Sequence, residues 1–306
     1  MVTQIIDLKK NKVIKWRLTD LCNYNCSYCI RKVFSSNIKR NPEFLKKCES
    51  ASPHIKRLAD EIFENTGCPV NLDLIGGEIS LFNLDNIFNS IVTKNIVSVN
   101  ITSNMSADEK WYENAFNLLK KNGIHLDVCG SFHPEMTNLK DYFAKIEHLK
   151  DKIEIRCETV KTSVNPYVDE FISKCKELGV NYKVECNLLD KSGLKNTTES
   201  KVSELRYKIV NDDGTSYTTN TRNEFIKNYK CSAFPSKGYY CSRDFDYVYV
   251  EQNKVIGNKP DDENSNCKNV TPIEKFHMLK KWRKCQMPRC TICGHISLKL
   301  IEGENK

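Results

Sequence analysis

The chain has 306 residues, 40% of them hydrophobic and 28% charged, which excludes a disordered or collagen-like chain and allows one large core plus an extension. Its 47 Lys and Arg against 39 Asp and Glu give a net charge of +8, spread as lysine-rich solvated faces without the interleaved aromatics of a nucleic-acid binder. No apolar run is long enough to span a bilayer, and residues 1–16 lack the apolar core of a signal peptide, so a cytoplasmic protein with no membrane or nucleic-acid partner is expected.

In chain order, the apolar run 13–18 reads as a strand. It leads into Cys22, Cys26 and Cys29, spaced CxxxCxxC, with Tyr28 just before the last. Residues 31–40 are polar and basic. Phe44, Leu45, Ile55, Leu58, Ile62 and Phe63 recur at helical spacing, predicting a helix over 42–66 that Gly67-Cys68-Pro69 ends. A strand over 70–75 runs into Gly76-Gly77-Glu78. A helix over 84–93 and a strand over 96–101 follow, the strand ending at Thr102-Ser103-Asn104. A helix over 108–122, capped by Gly123, precedes a strand over 124–128 that ends at residues 129–135, including Ser131 and His133. Then come a helix (139–149), a strand (152–160), a helix (166–178, capped by Gly179) and a strand (180–188).

Six strands alternating with helices predict a parallel sheet with right-handed crossovers. Six βα units are too few to close an eight-stranded barrel, so the expected fold is α/β, a partial (β/α)6 TIM-like barrel whose function gathers at the strand C-termini. A polar loop (190–200) separates this core, residues 1–190, from an extension, residues 191–306. The extension should contain a hairpin over 205–210 and 215–219 with an Asp-Gly turn, a second over 247–251 and 255–256, a polar loop over 260–266, and an amphipathic helix over 271–284 bearing Ile273, Phe276, Leu279 and Trp282.

Fifteen cysteines without an export signal point to metal or catalytic thiols rather than disulfides. Three thiolates on one short loop suit three irons of a cubic 4Fe–4S cluster, leaving the fourth iron open. Zinc is the alternative, but no complementary ligand pair lies nearby in sequence. The spacing, with its aromatic before the last cysteine, resembles the cluster loop of the radical S-adenosylmethionine (SAM) superfamily. That resemblance implies that SAM chelates the open iron. An electron from the cluster, supplied by a reductant such as flavodoxin or ferredoxin, then cleaves SAM to a 5′-deoxyadenosyl radical that abstracts hydrogen from substrate.

The same resemblance marks Gly76, Gly77 and Glu78 as contacts to the SAM amino group. Ser103 and Asn104 sit where the family has ribose or carboxylate contacts, helix capping being their alternative. Tyr28 would pack near the cluster and the adenine, or be a plain packing aromatic. Ser131 and His133 belong to a Ser-Phe-His-Pro stretch seen in some members. His133 is the candidate acid/base or ligand contact, or a structural histidine. Arg156 and Glu158 share one strand face and either line the cavity or pair with each other. Cys48, Cys68, Cys129, Cys157, Cys175 and Cys186 read as buried small hydrophobes, Cys129 being also a remote candidate hydrogen-atom donor.

The tail resembles the SPASM/twitch extensions of that superfamily, which hold an auxiliary Fe–S cluster. Its ligands would come from Cys241, Cys267, Cys285, Cys290 and Cys293, with Cys231 a further candidate. The family's cysteine after the hairpin is here Asn258. A zinc knuckle is the other tail reading. Expected substrates are a polar or sugar-like small molecule, oxidised or epimerised, or a ribosomally made peptide. Only about twenty residues precede the cluster loop, which leans towards the small molecule. The rival from another class is a metal-binding module that uses its cysteines structurally.

Overall fold

The computed structural model describes residues 2–8, 11–29, 42–186, 207–219, 237–259, 261–287 and 298–299. Strands β1 (Val2–Asp7) and β2 (Lys12–Thr19) come first. Five helix–strand repeats follow: α1 (Pro42–Thr66) and β3 (Val70–Gly76), α2 (Asp85–Ile91) and β4 (Ile96–Ser103), α3 (Glu109–Lys121) and β5 (His125–Phe132), α4 (Leu139–Leu149) and β6 (Glu154–Lys161), α5 (Val168–Glu177) and β7 (Asn181–Cys186). Beyond them lie the hairpin β8 (Tyr207–Asn211) with β9 (Ser216–Thr219), then β10 (Tyr240–Cys241). The hairpin β11 (Tyr247–Glu251) with β12 (Lys254–Ile256) follows, then β13 (Val270–Pro272), β14 (Arg283–Lys284) and β15 (Leu298–Lys299).

Strands β2 to β7 lie side by side in sequence order, each parallel to the next. This is the parallel α/β sheet that the alternation predicts, with six strands joined by five helices among the described residues. Val70, Leu72 and Leu74 of β3 are buried while Asn71, Asp73 and Ile75 are only half-buried. That period of two puts the helices on one face and leaves the other polar. Between sheet and helices the core packs Trp16, Leu72, Val99, Ile101, Val128 and Phe132 against α1 to α5, each such side chain contributing about 1.5–3 kcal/mol by burial. Among the described residues, no helix is long and apolar enough to cross a membrane.

The two ends of the chain exchange strands in a way the sequence pattern does not announce. β11 pairs in parallel with β2, and with β12 and β13 it widens the large sheet to nine strands. β1 instead joins a six-stranded sheet, antiparallel to β8 and β15. Val2, Ile5, Val13, Tyr207, Ile209, Tyr239 and Tyr247 form one cluster that seats the smaller sheet against the larger.

The helix expected over 271–284 does not form. After β13 the chain makes one short 3-10 turn (Ile273–Lys275) and then runs irregularly along α1. The reason lies in side chains of α1, which bond its backbone in place of a helical ladder. The Arg57 guanidinium donates to Ile273 O (2.9 Å) and Phe276 O (2.7 Å), Asn65 Nδ2 donates to Leu279 O (2.8 Å), and Glu61 accepts the Met278 N–H (2.6 Å). The three-residue spacing of Ile273, Phe276 and Leu279 reflects this docking: all three are buried. Cys48, Cys129, Cys157 and Cys175 are buried as expected, but Cys68 is only half-buried because it follows the last turn of α1; the Cys186 side chain lies outside the described residues.

Candidate functional site

The sequence-predicted contacts outside the tail lie on or just beyond the C-terminal half of a parallel strand, except Arg156, which sits in the N-terminal half of β6. At the end of β2, Thr19 Oγ1 accepts the Leu21 N–H (2.9 Å) and turns the chain into the cysteine loop. Gly76 and Gly77, at the end of β3, press on this turn: Gly77 N donates to Thr19 O (2.8 Å) and Glu78 N to Leu21 O (2.6 Å). A Cβ on Gly76 would sit 2.6 Å from Thr19 O, and one on Gly77 2.1 Å from Leu21 O. Only glycine permits that approach. Both glycines therefore abut the root of the cysteine loop.

Glu78 is fully buried. Its Oε1 accepts from Ser80 N (2.9 Å) and Ser103 Oγ (2.8 Å), and its Oε2 from Asn104 N (2.6 Å). Burial raises its pKa, and these three donors oppose that rise. The carboxylate thus ties the end of β3 to the end of β4. Ser103 also bonds the Tyr112 hydroxyl (2.7 Å), on the helix side. Asn104 turns towards the cysteines: its Nδ2 reaches Asn23 Oδ1 at 2.9 Å and the Cys22 sulfur at 3.7 Å.

The Cys22 sulfur also accepts the Tyr24 N–H (3.4 Å), and Cys29 N bonds Cys26 O (3.1 Å) in a turn. Burial pushes the Cys22 thiol up and carries Cys26 up to about 12. Among the described residues, the one group of His, Cys, Asp or Glu ligand atoms gathered within 4.8 Å is His125, Asp127 and Glu154, at the N-terminal ends of β5 and β6. Cys22, Cys26 and Cys29 lie together on the segment that follows β2.

The segment after β5 closes over the loop. Tyr28 is buried, its hydroxyl lies 3.0 Å from His133 Nδ1, and the two rings stack at 6.0 Å. Tyr24 meets His133 edge-on at 5.9 Å. Burial lowers the His133 pKa to about 4, so its ring is neutral at neutral pH and its Nδ1 shares a hydrogen bond with the Tyr28 hydroxyl. Glu135, two residues on, accepts the Ser27 N–H (2.7 Å) and the Ser27 hydroxyl (2.6 Å). Sequence reasoning missed Glu135; its only signal is its place two residues after His133 at a strand end.

The sheet face turned away from the helices is polar. Asn100 Nδ2 donates to Asp73 (2.6 Å), Arg156 pairs with Glu158 (3.2 Å), and Lys183 lies 3.9 Å from Glu158. Ser131 is half-buried on this face, and the buried Cys129 thiol contacts Arg156 and Glu158. The predicted Arg156–Glu158 juxtaposition is therefore an ion pair on the sheet's open face. A separate cleft of about 580 Å³ lies on the outer side, between α1 and residues 277–280, away from every cysteine of the loop.

In the tail, Cys241 and Cys285 come to adjacent strands: Cys241 pairs with Arg283 in register, and Cys285 N donates to Tyr239 O (2.6 Å). Arg283 also bonds Ser265 (3.2 Å), two residues before Cys267. Asn258, where the resemblance expects a cysteine, is buried, its N–H and Nδ2 donating to Asp244 Oδ2 at 2.7 and 2.8 Å. Cys231, Cys290 and Cys293 lie outside the described residues.

No family model and no curated protein matches the chain. Among solved structures it is similar to Streptococcus suis SuiB bound to S-adenosylmethionine: TM-score 0.48, 15% identity, covering 80% of this chain and 59% of that one. It is also similar to anSMEcpe with bound AdoMet and Cp18Cys peptide, with TM-score 0.42, 18% identity and coverage of 57% and 51%. A third is BtrN in complex with AdoMet and 2-DOIA, with TM-score 0.31, 18% identity and coverage of 50% and 58%. The chain spans less than two thirds of the length of each.

Proposed function

We propose that this chain is a radical SAM enzyme acting on a polar substrate. One observation carries the reading. Cys22, Cys26 and Cys29 sit on one loop at the C-terminal end of β2, bonded by backbone N–H groups after β3 and by side chains from the ends of β4 and β5. These three thiols would hold a 4Fe–4S cluster, which supplies the electron that cleaves SAM to a 5′-deoxyadenosyl radical.

The chain's own groups have separable tasks. Gly76, Gly77 and Glu78 set the root of the loop and the position of Asn104. Asn104 Nδ2 and Tyr24 N direct N–H groups at the Cys22 sulfur, where they stabilise thiolate charge. Tyr28 and His133 wall the loop with a neutral, stacked pair that keeps water away. The open face, with Asp73, Asn100, Ser131, Arg156, Glu158 and Lys183, offers donors and acceptors to SAM and to a polar or sugar-like substrate. Cys241, Cys267 and Cys285, with Cys290 and Cys293, are the proposed ligands of an auxiliary Fe–S cluster.

Anaerobic loading with iron and sulfide tests the assignment. The chain should turn brown, with charge-transfer absorption. Replacing Cys22, Cys26 and Cys29 by Ala should remove about four irons per chain, the content of one 4Fe–4S cluster, and leave the tail's share. A colourless chain that binds zinc stoichiometrically instead would favour the structural-metal reading.

A further inference from the structure

We propose that the segment after β5 is a two-point clamp, with His133 and Glu135 as positioning residues that hold the cysteine loop in its metal-binding shape. The two residues lie two apart along the chain, and each grips a different part of the loop. His133 Nδ1 and the Tyr28 hydroxyl share a hydrogen bond at 3.0 Å. Both Glu135 oxygens are used on Ser27, one on the N–H at 2.7 Å and one on the hydroxyl at 2.6 Å. Tyr24, earlier in the loop, meets the His133 ring edge-on at 5.9 Å. The clamp is itself a turn, with Met136 N and Thr137 N both donating to His133 O (3.0 and 3.1 Å), and α4 begins directly behind it with Asn138 as N-cap.

Ser27 lies between Cys26 and Cys29, so fixing its backbone N–H fixes the direction of the turn that separates those thiols. A loop of nine residues with little regular structure otherwise loses conformational entropy when it closes on a metal. Contacts from a rigid strand end remove part of that cost beforehand. Glu135 also places a carboxylate beside the loop, on Ser27 next to Cys26, and such a charge disfavours adding an electron to a nearby cluster. This last effect rests on the radical SAM reading; the clamp itself does not.

Full-length Glu135→Ala, Glu135→Gln and Ser27→Ala chains test it by two readouts. The first is amide exchange of residues 22–29 in metal-free protein. A charged acceptor lost from a backbone N–H should speed exchange there about tenfold in Glu135→Ala. Glu135→Gln, which keeps one acceptor oxygen, should restore part of the protection, and Ser27→Ala should leave the N–H bond and change exchange least. The second is the midpoint potential of the iron-loaded chain, which should rise in both Glu135 variants because a negative charge is gone. Wild-type exchange over 22–29 in folded Glu135→Ala overturns the clamp. If that variant does not fold, wild-type exchange in Glu135→Gln overturns it equally. Faster exchange in a chain that takes up no cluster supports the clamp and counts against the functional reading alone.

Discussion

At the N-terminal loop, Cys22, Cys26 and Cys29 lie on irregular chain, yet Thr19, Gly77, Asn104, His133 and Glu135, from four strand ends, fix the segment by backbone and side-chain bonds. In the tail, Cys241 lies in β10 and Cys285 follows β14, strands of only two residues each that pair in register. The first region is shaped by protein before anything binds. Among the described residues the second has shorter strands around its thiols, so on the proposed reading its order would depend more on what those thiols hold, as in small metal-stabilised domains. The difference separates catalysis from support: the loop should set SAM cleavage, and the tail should respond mainly to metal removal.

The sharpest way to break this division is to replace Cys22, Cys26 and Cys29 together by Ala. SAM cleavage should fall to background while iron in the tail persists, measured by product formation and iron content. Surviving cleavage would reverse the roles of the two regions. Next in size is a pH effect at the loop. His133 has a folded pKa near 4, below the ordinary 6.5, so the unfolded chain binds its proton more readily. Its stability contribution is complete above pH 6.5 and is lost as pH falls towards about 4, up to roughly 3 kcal/mol. Denaturant titration across that window should show the fall in wild type and a flatter profile in His133→Gln.

Gly77→Ala should cost about 1–3 kcal/mol, because its Cβ meets the Leu21 backbone with no flexible atom to yield. A thermal midpoint lower by several degrees, with weaker SAM binding, is expected; an unchanged midpoint would show that the loop root is loose. The smallest effect on cleavage should come from the tail. Cys241→Ala with Cys285→Ala should change SAM cleavage only a few-fold, while chelation loosens residues 237–241 and 283–287 in amide exchange more than residues 22–29.

The same contrast explains what could be read from the sequence. The helix over 42–66 and the six alternating strands follow from periodicities that tertiary packing reinforces. The glycines and Asn104 fall at strand ends, where parallel sheets gather their sites. Pairings between distant segments left no such trace. Ser27 and Glu135 are 108 residues apart, and nothing near either announces the other. β11 reads as a plain hairpin strand, and only its parallel register against Val13 to Arg17 shows that it completes the large sheet. The residues over 271–284 carried a helix-like apolar spacing that proved to be a docking pattern, because Arg57, Glu61 and Asn65 already supply the backbone partners.

The central claim is that Cys22, Cys26 and Cys29 support reductive cleavage of SAM. It is tested most directly by incubating the iron-loaded, reduced chain with SAM in the absence of oxygen and measuring 5′-deoxyadenosine. The account predicts that this product accumulates with the wild-type chain and depends on the reductant. An iron-loaded, reduced chain that leaves SAM intact would contradict it.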